Sequence, residues 1–198
     1  AGQGRRFGGG KLETEIDGKT LYVHALERMQ AFGGFPAYLV AGPGHMSEEA
    51  LEYGVTPVEN CEPEKGISHS LRLGLRRALE HDPNLKGVLF SVCDQPWLGA
   101  ATIQEIFNAA ALHPGSIVCA GCGEKRGNPV LWDRKYFSEL MTLAGDRGGR
   151  QIVEKHRDNL RIVQAEEEEL RDIDVREDLP EAGRLKKRRG DENYGSET

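Results

Sequence analysis

Gly87-Val-Leu-Phe-Ser-Val-Cys-Asp-Gln-Pro96 is the stretch that decides the fold. From Gly87 to Cys93 it is continuously apolar or small, the pattern of a strand buried on both faces. It ends at a carboxylate, Asp94, and Pro96 closes the segment. A strand of that kind needs helices on both sides of its sheet, and the neighbouring sequence supplies them. Upstream, Ser68 or Ser70 is placed to open a helix carrying Leu71, Leu75, Ala78 and Leu79. Downstream, Ala101 to Leu112 sets Ile103, Ile106, Phe107 and Ala110 on one helical side.

The same alternation continues outward. Thr20 to Phe32 has helical spacing, and Pro36 to Ala41 reads as a strand between glycine pairs. Ser47 is placed to cap a helix running to Tyr53, and Val55 to Glu59 is a further short strand. Ser116 to Ala120 and Pro129 to Trp132 read as paired strands around a turn-rich Gly121-to-Asn128 segment. Asp133 is placed to cap a helix through Leu143, another helix spans Gln151 to Lys155, and Leu160 to Gln164 is the last strand. Strands alternating with helices at this spacing predict an α/β, doubly wound, mostly parallel sheet.

Residues 1–182 are expected to form one domain, and 183–198, with Lys186-Lys-Arg-Arg189 followed by acidic and polar residues, a disordered charged tail. The net charge of -6 argues against broad nucleic-acid binding, and no run approaches a membrane span. A cytoplasmic protein is the expectation. Cys119-Ala-Gly-Cys122 has C-x-x-C spacing, but no second pair completes a zinc site, so the cysteines read as small residues of an interior strand.

Three constellations carry chemistry. The opening Ala1-Gly-Gln-Gly-Arg-Arg-Phe-Gly-Gly-Gly-Lys11 combines glycines with cations, the composition of an anion nest. It lacks the Gly-Lys-Ser/Thr ending of a Walker loop, and Phe7 stands where the dinucleotide fingerprint needs its third glycine. Asp94 lies at the carboxyl end of the most apolar strand, where open parallel sheets bind ligands, and is suited to Mg²⁺. Asp172-Ile-Asp174 puts two carboxylates on one face if extended. The acidic Glu166 to Glu169 run just before it reads as solvated.

Taken in order, these residues resemble the MobA-like NTP transferases, and most closely their molybdenum-cofactor cytidylyltransferase (MocA-type) branch. Ala1, Gly2, Gly4, Arg6, Phe7, Gly8 and Lys11 fall on the family's opening loop, with Gly4 in place of its usual Ser. Asn60, Gly66 and Ser70 match the next motif, and Val88 to Pro96 matches the strand ending in Asp-x-Pro. Arg126-Gly-Asn-Pro-Val-Leu131 has Asn128 where the family has His. Gly145, Asp146, Gly148 and Arg150, then Asp172, Asp174, Glu177 and Asp178, complete the series.

The resemblance implies a Rossmann-like nucleotidyltransferase fold of the nucleotide-diphospho-sugar transferase type. It implies transfer of CMP from CTP to the phosphate of a molybdopterin-type substrate, with Mg²⁺ as cofactor and pyrophosphate released. Arg6, Lys11 and Asp94 would be catalytic. Ala1, Gly2, Gly4, Arg6, Gly8, Lys11, Gly66 and Ser70 would bind the nucleotide, and Asn128, Asp146 and Arg150 the acceptor. Asp94 and Asp174 would hold the metal. A molybdenum hydroxylase apoenzyme would be the onward partner. Ala1 favours CTP, since the guanylyl branch tends to have glycine there. Alternatives are GTP as donor, a sugar or polyol phosphate as acceptor, and a non-catalytic cofactor carrier. The family's glycine loop hangs from a first strand that has no counterpart before Ala1. The expectation is therefore an N-terminally truncated domain in which that strand's neighbours keep exposed edges.

Overall fold

The computed structural model describes residues 7–180. Ala1, Gly2, Gly4 and Arg6, and the charged segment from 183 onward, lie outside the described residues. Leading into the first helix is a small antiparallel hairpin, β1 (Glu15–Ile16) and β2 (Lys19–Thr20), turning at Asp17 and Gly18. Then come α1 (Leu21–Ala31), β3 (Tyr38–Ala41), α2 (His45–Glu52), β4 (Thr56–Glu59), α3 (Ile67–His81) and β5 (Gly87–Phe90). The second half comprises α4 (Ala100–Leu112), β6 (Ile117–Cys122), β7 (Lys125–Asp133), α5 (Phe137–Met141), α6 (Arg150–Lys155) and β8 (Leu160–Gln164).

β3 and β4 pair in parallel, and a separate four-stranded sheet runs β5-β7-β6-β8. In the larger sheet β6 and β8 are parallel, while β7 is antiparallel to both of its neighbours. Alternation along the strands sends side chains to two helical layers. Val88, Phe90, Ile117 and Trp132 meet α3, α5 and α6 through Leu75, Leu140 and Ile152. Leu89, Val118, Ala120 and Leu131 meet Ile106 and Phe107 of α4. The sheet is therefore covered on both faces, as a doubly wound α/β fold requires.

Several boundaries differ from the sequence reading. α3 begins at Ile67 behind Gly66, so Ser68 and Ser70 are buried inside the helix rather than capping it. α2 begins at His45, two residues before Ser47. Residues 121–128 are mostly strand, with the hairpin turning only at Gly123 and Glu124. Gly121 lies in β6, and the site needs a glycine because a Cβ there would lie 2.6 Å from Ile162 Cγ2 and 2.8 Å from the Lys125 carbonyl oxygen. Asp133 caps a short 3-10 turn through the Lys135 N–H before α5 forms. Glu169 is not a solvated member of the acidic run: it accepts from the Gly99 N–H at 2.9 Å and the Thr102 hydroxyl at 2.6 Å, holding the N-terminus of α4.

The largest difference concerns the 87–93 segment. The ladder stops at Phe90, and Gly87 to Cys93 is only half-buried rather than buried on both faces. The physical reason is on its open side. β3 and β5 do not pair with each other, and a cleft of about 1740 Å³ separates them. Among the described residues, β3 pairs only with β4 and β5 only with β7.

Candidate active site

Lys11, Asn60, Ser70, Asp146 and Asp174 all line this cleft. Lys11 arrives there on a short 3-10 turn behind three consecutive glycines with positive φ: Gly8 at 85°, Gly9 at 93° and Gly10 at 63°. Only glycine adopts such a run without strain. The loop is anchored by Phe7, 3% exposed, which packs with Ile16, Leu21 and Ile173. The glycine loop and the closing Asp-Ile-Asp segment thus share one apolar contact.

That contact sets the polar geometry. The Ile173 N–H donates to the Asp94 carbonyl at 2.9 Å, fixing the closing segment beside the end of β5. Ile173 points into the core, and the acids on either side reach different partners. The Lys11 ammonium donates to Asp94 Oδ2 at 2.7 Å and to Asp174 Oδ1 at 3.0 Å. Desolvation acts to lower the Lys11 pKa, but the two carboxylates, Asp94 foremost, outweigh it and leave it raised. Lys11 therefore stays charged through neutral pH. Asp172 turns instead to Gln95, whose amide donates to it at 2.9 Å and to the Leu170 carbonyl at 3.2 Å. Burial first, and then the charge of Asp94, push the Asp172 carboxyl up.

Two residues with no assigned role in the sequence reading hold this arrangement. Gln95 is 2% exposed and ties the turn after β5 to the closing segment. Asp178 accepts from the N–H groups of Asp174 and Val175 at 2.7 and 2.9 Å, which holds its carboxyl below the usual range, Val175 contributing most. A third, Arg28, is 8% exposed and donates to the Pro96 carbonyl at 3.2 Å.

The other sequence-assigned residues divide. Gly66 has φ 80°, and a Cβ there would lie 2.3 Å from Asp146 Oδ1 and 2.7 Å from the Gly145 carbonyl carbon. Asp146 Oδ1 accepts from the Ile67 N–H at 3.2 Å, and the Gly145 carbonyl from the Ser68 N–H at 3.1 Å. The 145–148 loop is thus joined to the start of α3, bringing Asp146 to Gly66. The Ser70 hydroxyl accepts from the Asn60 amide at 2.9 Å, both residues being buried. Asn128 lies on β7 two residues beyond the Val130–Phe90 pair, at the end of the sheet where β5 leads to Asp94. Arg150 is exposed at the first position of α6. The four cysteines are unpaired, with Cys119 and Cys122 both on β6.

The cluster suits a divalent cation. A positive group already bridges Asp94 and Asp174, and the second Asp94 oxygen, Oδ1, is buried without a hydrogen-bond partner. Among the described residues no three His, Cys, Asp or Glu side chains converge as a metal cage. Two carboxylates with the remaining positions left to phosphate and water is the arrangement Mg²⁺ prefers.

An open α/β sheet with such a cluster at the carboxyl end of its strands is the framework of a nucleotide-handling protein. The chain belongs to the MobA-like NTP transferase family, whose domain matches residues 1–160; it is a nucleotidyltransferase of that family. Solved structures share the fold. Rv0371c from Mycobacterium tuberculosis H37Rv is 24% identical over 90% of each chain, with a TM-score of 0.71. A nucleotidyl transferase from Methanothermobacter thermautotroptrophicus is 23% identical over 90% of each chain, with a TM-score of 0.70. Molybdopterin-guanine dinucleotide biosynthesis protein A from Archaeoglobus fulgidus is 17% identical over 90% of this chain and 91% of its own, with a TM-score of 0.67. No curated protein matches the sequence. No described helix is long and apolar enough to cross a membrane.

Proposed function

We propose that the protein is a Mg²⁺-dependent cytidylyltransferase that moves CMP from CTP to the terminal phosphate of a molybdopterin-type substrate. The observation that carries the reading is the Lys11 ammonium, on the lining of the cleft, held between Asp94 and Asp174. Asp94 and Asp174 would hold the metal, which when bound neutralises and orients the triphosphate oxygens. Lys11, on its flexible stem, stabilises the charge that develops on the transferred phosphoryl group, and Arg6 is assigned the same duty. Gly8 and its neighbours, with Ala1, Gly2 and Gly4, cradle the triphosphate.

Gly66 and Ser70 shape the base pocket, Ser70 being oriented by Asn60. Asn128, Asp146 and Arg150 are assigned to the acceptor, with Asp146 close enough to Gly66 to border both substrates. The acceptor phosphate oxygen forms the new bond to the α-phosphorus in line. The bond from that phosphorus to its bridging oxygen breaks, and the electron pair leaves with pyrophosphate. The acceptor supplies the nucleophile, so the protein's work is positioning and charge neutralisation. The base assignment rests on Ala1. On this reading the protein acts in the cytoplasm and passes its product to a molybdenum hydroxylase apoenzyme.

Pyrophosphate release tests the reading. CTP with a molybdopterin-type acceptor should turn over, and Asp94→Ala should remove turnover far more than nucleotide binding. Strong preference for GTP would refute the cytidylyl assignment. Turnover only with a sugar or polyol phosphate would refute the pterin one. Nucleotide binding without turnover under any pairing would mean a carrier.

A further inference from the structure

The Gly66 that precedes α3 offers no capping side chain, so the leading N–H groups of the helix are met from a distant loop. The Ile67 N–H donates to Asp146 Oδ1 at 3.2 Å and the Ser68 N–H to the Gly145 carbonyl at 3.1 Å. One turn further along α3, Arg72 Nη1 donates to the Leu143 carbonyl of the same loop. The other arm of that guanidinium, Nη2, donates to His69 Nδ1 at 3.3 Å. A guanidinium has donors only, so Nδ1 accepts and the proton of the neutral ring sits on Nε2. His69, its side chain 15% exposed, turns Nε2 toward Glu62 Oε2 at 3.7 Å, beyond hydrogen-bond length. From there the contacts lead to the nucleotide side. The Glu62 N–H donates to Asn60 Oδ1 at 2.9 Å, and the Asn60 amide donates to the Ser70 hydroxyl at 2.9 Å. Asn60 and Ser70 line the cleft, and so does Asp146 at the other end of the series.

We propose that His69 and Arg72 are positioning residues that hold the 143–146 segment on α3 and couple it to the state of the nucleotide side. The coupling rests on the proposed assignment of Gly66 and Ser70 to the nucleotide and Asp146 to the acceptor. Leu143 is buried, whereas Ala144 to Arg147 are exposed, so Leu143 is where the loop leaves the core. A bond to its carbonyl sets the direction in which Asp146 is presented. Arg72 suits the task because its planar fork reaches two partners at a fixed angle, which a single ammonium does not. Its two described partners are a carbonyl and an imidazole, so the guanidinium acts here as a rigid pair of donors. The loosest link is the gap between His69 and Glu62. Lys65 foremost holds the Glu62 carboxyl below the ordinary range, so it is ionised at neutral pH and attracts the Nε2 proton. A nucleotide seated on Ser70 and Asn60 fixes the backbone at Glu62 through the Asn60 bond. Closing the gap to hydrogen-bond length then pins the imidazole, and with it the Arg72 fork. One contact with two states, biased from both ends, is what coupling between sites requires.

The test follows hydrogen exchange of the Ser68 amide in the 198-residue chain, because that N–H bonds directly to the loop. Arg72→Met is expected to quicken it by about tenfold or more. His69→Leu should do the same, whereas His69→Asn, whose side-chain oxygen replaces Nδ1 as acceptor, should stay near the parent. The double variant His69→Leu/Arg72→Met should be no worse than either single one, because both break the same connection. In the parent, saturating CTP with Mg²⁺ should slow Ser68 exchange by about fivefold, the low end of coupling between sites. Arg72→Met should lose that response and still bind CTP with an affinity within about twofold of the parent, below the coupling range. A merely structural role would lower CTP affinity along with protection and would not spare His69→Asn. Parental Ser68 exchange in Arg72→Met, additive effects in the double variant, or CTP bound to the parent without a response at Ser68 would each overturn the proposal. If CTP does not bind the parent, the nucleotide reading falls and the coupling with it. The exchange rates without ligand then still decide whether His69 and Arg72 hold the loop.

Discussion

Lys11 Nζ lies 2.7 Å from Asp94 Oδ2, joining a loop at the start of the chain to the end of its most apolar strand. The Lys11 side chain is 14% exposed and that of Asp94 25%, so the pair is only partly screened. Because the Lys11 pKa is raised in the fold, the link contributes fully below the ordinary value of 10.5. It is lost as pH rises through the folded-state value.

Lys11→Met removes the cation but keeps the length of the stem. Transfer should fall by about 10²–10³, the scale of losing one group that stabilises transition-state charge. Mn²⁺, used as a probe, should bind the variant more tightly, because the ammonium no longer competes for Asp94 and Asp174. Pyrophosphate release and calorimetric titration give the two readouts. Unchanged turnover would remove Lys11 from the proposed chemistry.

Gly66→Ala should destabilise the protein and weaken nucleotide binding together. The backbone is held at φ 80°, and the added methyl would fall 2.7 Å from the Gly145 carbonyl carbon, which cannot swing aside as a side chain could. A cost of about 2 kcal/mol or more is expected from strain and overlap together. Denaturant titration measures it. A variant as stable as the parent would mean that the 145–148 loop shifts readily and does not fix the start of α3.

Burial, and then Asp94, raise the Asp172 pKa, so the folded chain holds that proton more tightly than the unfolded chain does. Ionising it costs stability as pH rises from the ordinary 3.8 through the folded-state value. Asp172→Asn keeps an acceptor for Gln95 and removes that cost. It should melt higher than the parent at neutral pH, and the advantage should disappear below pH 3.8. An advantage independent of pH would sink this account.

How much of this was legible in the sequence depends on whether a signal is local. The helical spacing of Leu21 to Ala31 and of Ala100 to Leu112, and the strand Leu160–Gln164, came through with small boundary shifts. The Glu15–Thr20 hairpin did not, because strands of two residues carry no periodicity; only Asp17-Gly18 marks the turn. Gly121 read as a turn residue, although it is a strand glycine made necessary by Ile162. In the site, Lys11, Asp94 and Asp174 were found by motif, and the structure brings them together. Gln95 carries no such local signal, because its partners, Leu170 and Asp172, are 75 and 77 residues away. A buried amide beside a marked carboxylate has no sequence signature of its own.

Gln95→Leu follows from that last point. It fills similar space but leaves the Leu170 carbonyl and Asp172 without their donor. A loss of about 1–3 kcal/mol is expected for stranding polar groups in this setting. Exchange of the Ile173 amide, bonded to the Asp94 carbonyl, should quicken in the same variant. Full retention of both stability and Ile173 protection would show that the closing segment is held elsewhere.

Asp178 offers a separate way to loosen Asp174 without touching its carboxylate. Its side chain is half-buried, and its pKa is lowered by the N–H groups it accepts from, Val175 first and then Asp174. Those bonds are therefore intact at neutral pH and weaken as pH falls below 3.8 and through the folded-state value. Asp178→Ala frees the backbone of Asp174, whose own side chain is already 56% exposed, so little core packing is disturbed. Mn²⁺ affinity should drop by about tenfold, the scale seen when a residue that orients a ligand is lost. Tm should move little. Asp178→Asn, which keeps one acceptor oxygen without the charge, should fall between the parent and the alanine variant. Parental Mn²⁺ affinity in both variants would mean that Asp174 is positioned by Lys11 and Ile173 alone.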